Sequence, residues 1–227
     1  MESDYLIQNA ANAIISFTDS YTKIKQGKQN EQQKSDSISS LTEISSCLKS
    51  INDQIRNINT SKQVIQIPKI HQSLSTLSLY KVGNHIGQEI DRQIFTVRSS
   101  SRDCLSSIRF FGDEQVQSEL VNQGFGRMIC ISFCTAGGVG EEQDEEIEHG
   151  LYRIYRFLKD LHEGRYYRKH ISQPLPLLVR NTEEQIEEEG AYEEIEAQMK
   201  NKGYYGEIKC RANDAKAVTL NHFIITI

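Results

Sequence analysis

Apolar residues recur at steps of three and four along nearly the whole of this chain, and strict two-residue alternation is rare. Between residues 38 and 58 the series Ile38, Leu41, Ile44, Leu48, Ile51, Ile55 and Ile58 holds that spacing without a break. Such steps bring side chains to one side of a 3.6-residue helix and would scatter them over both faces of a strand. Ile147, Leu151, Ile154, Leu158 and Leu161 repeat the pattern, and so do Leu6, Ala10, Ile14, Phe17 and Tyr21. With three prolines in 227 residues, little interrupts helical propagation. The expectation is an all-α chain of roughly nine or ten helices.

The breaks between these stripes suggest where helices start and stop. Residues 27–36 are a polar run from Gly27 to Asp36, too poor in apolar side chains to pack, and are expected to form a mobile loop. Pro68 suits the first turn of a helix, where its missing N–H costs nothing. Gly112-Asp113, after Phe110-Phe111, reads as a helix stop followed by an N-cap carboxylate. Gly137-Gly138 and the pair Pro174 and Pro176 are further breaks.

Composition narrows the class of function. Apolar residues are 37%, charged residues 25%, and the net charge is −5. An acidic balance argues against a sequence-independent nucleic-acid binder, which depends on clustered Lys and Arg. The odd set Cys47, Cys104, Cys130, Cys134 and Cys210 sits inside apolar helical patterns and reads as small buried hydrophobes in a reducing compartment. Asn59-Thr60-Ser61 matches a glycosylation sequon, read as chance in a chain that opens Met-Glu-Ser-Asp-Tyr without a charged-then-apolar leader. No window reaches 18 continuous apolar residues. The expectation is a soluble protein of the cytoplasm or nucleus, with no membrane partner.

Several segments invite a chemical reading and are weighed against a plainer one. Cys130 and Cys134 lie one helical turn apart, a spacing a metal could use, but no second Cys or His pair accompanies them. Thr135-Ala-Gly-Gly-Val-Gly-Glu141 is Gly-rich without the Gly-Lys-Ser/Thr of a phosphate loop, and the acidic residues from Glu141 to Glu146 suit the positive end of a helix dipole instead. The carboxylates of residues 183–196 read as a solvated face or as a surface for a basic partner rather than an acid–base pair. Arg165-Tyr-Tyr-Arg-Lys-His170 mixes basic and aromatic side chains and reads as a loop at a repeat edge rather than a nucleic-acid contact. The histidines His71, His85, His149, His162, His170 and His222 form no His-Glu-x-x-His, and no Gly-x-Ser-x-Gly elbow occurs. No catalysis, cofactor, small-molecule substrate or metal is expected.

Internal matches suggest how the helices are arranged. Leu79-Tyr-Lys-Val-Gly83 and Leu120-Val-Asn-Gln-Gly124 share a frame 41 residues apart. Arg102-Asp-Cys-Leu-Ser-Ser-Ile108 and Glu148-His-Gly-Leu-Tyr-Arg-Ile154 align at 46. These spacings suit helical repeats in which each unit hides its uncovered apolar face against the next.

At these residues the chain resembles the armadillo-repeat family. Val97 to Phe111 is similar to the long third helix of a repeat, and Glu119-Leu-Val-Asn-Gln-Gly-Phe125 resembles the turn that opens the next one. Gln185-Ile-Glu-Glu-Glu-Gly-Ala-Tyr-Glu-Glu-Ile-Glu-Ala-Gln198, with the helix leading to Phe223, resembles the last repeat of importin-α proteins. The resemblance covers residues 79–227. It implies an armadillo/HEAT-like α-solenoid, a right-handed superhelix of stacked helices. Residues 1–60 would form N-terminal helices or a degenerate repeat, residues 61–227 would carry the repeats, and 175–227 the capping repeat. The implied function is a non-catalytic scaffold or adaptor that holds a protein or peptide in a concave groove. Two alternatives stay open: a nuclear-transport adaptor related to importin-α, or the non-catalytic part of a larger signalling protein. The chain departs from importin-α in having no Trp, so the stacked Trp–Asn ladder of that family cannot form. The positions expected to face the partner are Arg102, Asp103 and Ser107 on one third helix, with His149 and Arg153 on the next.

Overall fold

The stripe that begins at Ile38 forms one helix over Ile38–Arg56, and its Leu41, Ile44, Leu48, Ile51 and Ile55 are all buried. The computed structural model describes residues 2–27, 38–83, 86–134, 143–167 and 170–220. Among these residues it contains eleven α-helices, one 3₁₀ turn and one short hairpin. None of the helices is long and apolar enough to cross a membrane. The chain divides into two compact units, Met1–Gly112 and Asp113–Ile227.

The first unit contains α1 (Glu2–Lys25), α2 (Ile38–Arg56), α3 (Ser61–Ile65), α4 (Ile70–Leu77) and α5 (Gln88–Phe111). The long helices α2 and α5 lie along one another, and α1 packs on both α2 and α4. Ile7 and Ile14 of α1 share a core with Leu48 and Ile51 of α2, Leu74 of α4, and Val97, Leu105 and Ile108 of α5. Each such side chain contributes about 1.5–3 kcal/mol by leaving water. Helices α1 and α2 therefore share one core with α4 and α5, and the first compact unit runs to Gly112. The local cause of that boundary was legible: Gly112 leaves α5 in an extended conformation, and Asp113 accepts a hydrogen bond from the Val116 N–H at 3.1 Å.

The second unit contains α6 (Glu114–Asn122), α7 (Phe125–Ile131), α8 (Asp144–Glu163), the strands β1 (Arg165–Tyr167) and β2 (His170–Ser172), α9 (Pro176–Glu188), α10 (Ala191–Gln198) and α11 (Glu207–Leu220). Here α8 and α11 are the long helices that lie together, while α7 and α9 pack against each other and both touch α8. The strands pair antiparallel, Arg165 with Ser172 and Tyr167 with His170. Three-residue strands are too short to show alternation, which is why the sequence reads as helical throughout.

The groups α3–α4–α5 and α6–α7–α8 each run short–short–long, whereas in α9–α10–α11 the first helix, of 13 residues, is nearly as long as the last, of 14. In all three groups the first two helices meet at one residue in the left-handed region: Lys69 at φ 65°, Gly124 at φ 79° and Gly190 at φ 65°. A buried residue follows immediately (Ile70, Phe125, Ala191), and another lies four positions before (Ile65, Leu120, Ile186). The left-handed residue turns the chain sharply, and the flanking apolar pair holds the corner closed.

Several expectations need correction at this level. Pro68 lies in the turn before α4 and not in its first turn. The Leu-x-x-x-Gly frame pairs unlike places, since Leu79–Gly83 follows α4 whereas Leu120–Gly124 forms the α6–α7 corner. The counterpart of Gly124 in the first unit is Lys69, a different letter in the same conformation. The frame at Arg102 and Glu148 does join like with like, the long helices α5 and α8. Cys104 and Cys130 are buried, but Cys210 is exposed. Residues 28–37, His85, Thr135–Glu142 and residues 221–227, with the expectations placed on them, lie outside the described residues.

Candidate functional site

The α8 helix opens with Asp144, Glu145 and Glu146 in its first turn, where carboxylates complement the helix dipole. Its Ile147, Leu151, Ile154, Phe157, Leu158 and Leu161 then fill the core of the second unit. Between them, Glu148 and Tyr152 meet α11 in a polar seam, and His149 and Arg153 flank that contact on α8.

Arg211 of α11 organises that seam. Its Nε donates to Glu148 Oε1 at 2.6 Å, and its guanidinium carbon lies 4.9 Å from the centroid of the Tyr152 ring. Asp214 and Glu207 flank it on its own helix at 3.6 and 3.9 Å. The Glu148 hydrogen bond raises the affinity of Arg211 for its proton above the ordinary arginine value, against the opposing effect of burial. His149 Nε2 lies 3.7 Å from the other oxygen of Glu148, and the His149 side chain is 42% exposed. Tyr152 is equally open, at 42%. One turn away, Arg153 Nη1 donates to Glu146 Oε1 at 2.7 Å, with both side chains buried. The seam thus presents an aromatic ring and an imidazole to solvent, both beside charges already held in place.

The first unit has a smaller polar seam between α2 and α5. Ser107 Oγ donates to Asn52 Oδ1 at 2.8 Å, and Arg56 Nε approaches Ser107 Oγ at 3.5 Å. Cys104 Sγ, fully buried, donates to the Leu48 carbonyl at 3.3 Å.

The five residues expected to face a partner therefore separate into two kinds. Asp103 is half-buried and His149 partly open. Arg102, Ser107 and Arg153 are 1%, 6% and 8% exposed, which corrects the expectation that they project into solvent. The reason is that α5 is packed by α2, α3 and α4 together, so its buried side extends past the Leu/Ile stripe to include Arg98, Arg102 and Arg109. On α8, Arg153 turns inward to its partner Glu146. Arg102, Asp103 and Ser107 belong to the first unit and His149 and Arg153 to the second.

Three members of the α8–α11 seam were missed. Glu148 and Arg211 meet across 63 residues, and nothing local links them. Tyr152 did leave a signal: it is a large apolar residue that falls off the Ile147–Leu151–Ile154 stripe.

The remaining sequence candidates are also placed. Burial pushes the Cys130 thiol well above its usual range and the Cys134 thiol up to about 12, with Glu194 and Glu189 adding to the latter. Neither is a ready thiolate ligand. Among the described residues, no group of three or more His, Cys, Asp or Glu could hold a metal ion. Parts of the acidic run serve as ties: Arg127 of α7 pairs with Glu188, and with Glu189 at 2.7 Å. Glu194, expected on a solvated face, is buried and accepts from Gln198 at 2.7 Å. Arg165 is buried, and the side chains of residues 166–170 lie outside what is described. No protein-family model, curated protein or solved structure matches this chain.

Proposed function

We propose that the chain is a protein-interaction scaffold built from armadillo-type repeats, with its binding surface on the paired long helices. The observation that carries this reading is the recurring corner at Lys69, Gly124 and Gly190, each joining the first two helices of a three-helix group. A repeat of this form leaves one side uncovered until a neighbour stacks on it, and pairing of long helices is the result. The pairs α2–α5 and α8–α11 fit that logic within their own units, as an α-solenoid of stacked repeats would.

The α8–α11 seam is the surface we assign to a protein or peptide partner. Tyr and Arg are the side chains most often responsible for binding energy at interfaces, because they give large contact area together with polar tips. Arg211 is held by Glu148 and stacked on Tyr152 before any partner arrives, so little ordering cost remains. His149 and Tyr152 are the contact residues. Arg153 acts behind them by fixing α8, and Asp103 is the corresponding contact candidate in the first unit.

The test is capture of partners from a cell lysate by the intact chain and by Tyr152→Ala, His149→Ala and Asp103→Lys variants, read by quantitative mass spectrometry. Specific partners should be depleted with the Tyr152 and His149 changes while thermal stability is retained. An identical set of captured proteins for all variants rejects the seam as the binding surface. Arg153 is unsuited to this test, because reversing its charge would set two buried carboxylates together.

A further inference from the structure

A concave feature lies among α9, α10 and α11 and uses none of the seam residues. It is a cleft of about 460 Å³, within the size range of ligand pockets. Its floor is apolar, with Ile195 only 2% exposed, and Tyr192 forms part of its wall. Its rim is acidic. Glu183, Glu184 and Glu187 approach from α9 and Glu196 from α10, against the cations Arg180 and Lys216.

The rim cations are already matched. Arg180 Nε lies 3.1 Å from Glu184, and Lys216 Nζ lies 2.7 Å from Glu196. Two carboxylates then remain in excess. Glu183 faces His162 Nε2 at 3.4 Å, while Glu187 is exposed and its side chain has no ion-pair partner among the described residues. Both act on Tyr192: burial first, and then these two carboxylates, push its hydroxyl up to about 12. The phenol therefore stays protonated, as a donor on an electron-rich ring.

We propose that this cleft receives a lysine or arginine side chain from a peptide partner. The excess carboxylates would repel phosphate or carboxylate ligands. A neutral apolar ligand would cover Glu187 without satisfying it, a costly arrangement. A side chain with a methylene stem and a cationic head answers each feature. The stem lies on the apolar floor, the head meets Glu187 and Glu183, and the Tyr192 ring supplies a cation–π contact. The site depends neither on the repeat assignment nor on the seam.

The experiment is a titration of the intact ¹⁵N-labelled chain followed by amide shifts. The probes are an acetylated, amidated Gly-Ala-Lys-Ala-Gly peptide, its norleucine counterpart and spermine. The lysine peptide should shift amides within residues 183–196 and 216–219, and the uncharged norleucine peptide should not. Glu187→Gln, at an exposed position, should weaken binding about threefold. The proposal is overturned if the lysine peptide leaves those amides unmoved, if norleucine binds as well, or if Glu187→Gln has no effect. It is equally overturned if spermine binds there and the lysine peptide does not, since the cleft would then serve a free polyamine.

Discussion

Arg153 donates from Nη1 to Glu146 Oε1 at 2.7 Å, two turns back along α8, and the two side chains are 8% and 2% exposed. Burying both charges carries a large desolvation cost that their mutual attraction helps to offset. Glu146→Gln should therefore lower the unfolding free energy by about 3 kcal/mol, because it leaves the guanidinium buried without its carboxylate. Replacing both, as Glu146→Leu with Arg153→Met, should recover most of that loss. Urea denaturation of the three chains measures it. A double variant no more stable than the single one contradicts the argument.

Gly150 sits in the middle of α8, where helix propensity alone favours alanine by about 1 kcal/mol. A Cβ at this position would run into Ser132 Oγ and come within 3.1 Å of the Phe133 ring, both fully buried at the end of α7. The close approach of α7 to α8 thus requires the missing side chain. Gly150→Ala should destabilise the chain by about 1–3 kcal/mol, seen as a lower midpoint of thermal unfolding. Adding Ser132→Ala should restore part of it. An alanine variant more stable than the parent would show that the contact relaxes freely.

The contrast between these residues explains how much of the fold was legible. Helix existence followed from period alone: the Ile38 and Ile147 stripes became α2 and α8 with nearly their expected ends. Asp113 was recognisable because an N-cap is a local device, one carboxylate serving an amide three residues on. The site was less accessible. Arg102, Ser107 and Arg153 look like surface residues by type, and only the packing of neighbouring helices shows that they are inside. Arg211 gains its role from Glu148, 63 positions away, a distance at which spacing carries no information. The first corner was hidden for another reason: Lys69 adopts a conformation that the sequence advertises only when glycine holds it.

That corner offers a direct measurement. Lys69 stands at φ 65° where Gly124 stands at φ 79° in the second unit. A side chain in the left-handed region costs about 1–2 kcal/mol. The Gly124 position has nothing within 4 Å of an added Cβ, so any penalty there comes from the backbone and not from packing. Lys69→Gly should raise stability by about 1 kcal/mol and Gly124→Ala should lower it by a similar amount. Chemical denaturation of both variants gives the comparison. Effects of the same sign would separate the two corners and weaken the case that they are one repeated element.

Two half-buried groups in the second unit, Cys134 and Tyr192, contribute to the alkaline limit of stability, alongside the buried Cys130 thiol. Burial raises the Cys134 thiol from an ordinary value of 9.0 to about 12, and the Tyr192 hydroxyl from 10.0 to about 12. In the unfolded chain these groups release their protons first, so above the ordinary values the native state binds more protons than the unfolded one. Stability then falls with rising pH. Their contribution should be intact below pH 9.0, and it should be lost progressively as pH approaches about 12. Urea midpoints recorded under reducing conditions across that window should decline, and Cys134→Ala should make the decline shallower. Tyr192→Phe should do the same from a higher starting pH, because the phenol ionises later than the thiol in the unfolded chain. Parallel declines in the parent and both variants would assign the alkaline loss to other groups.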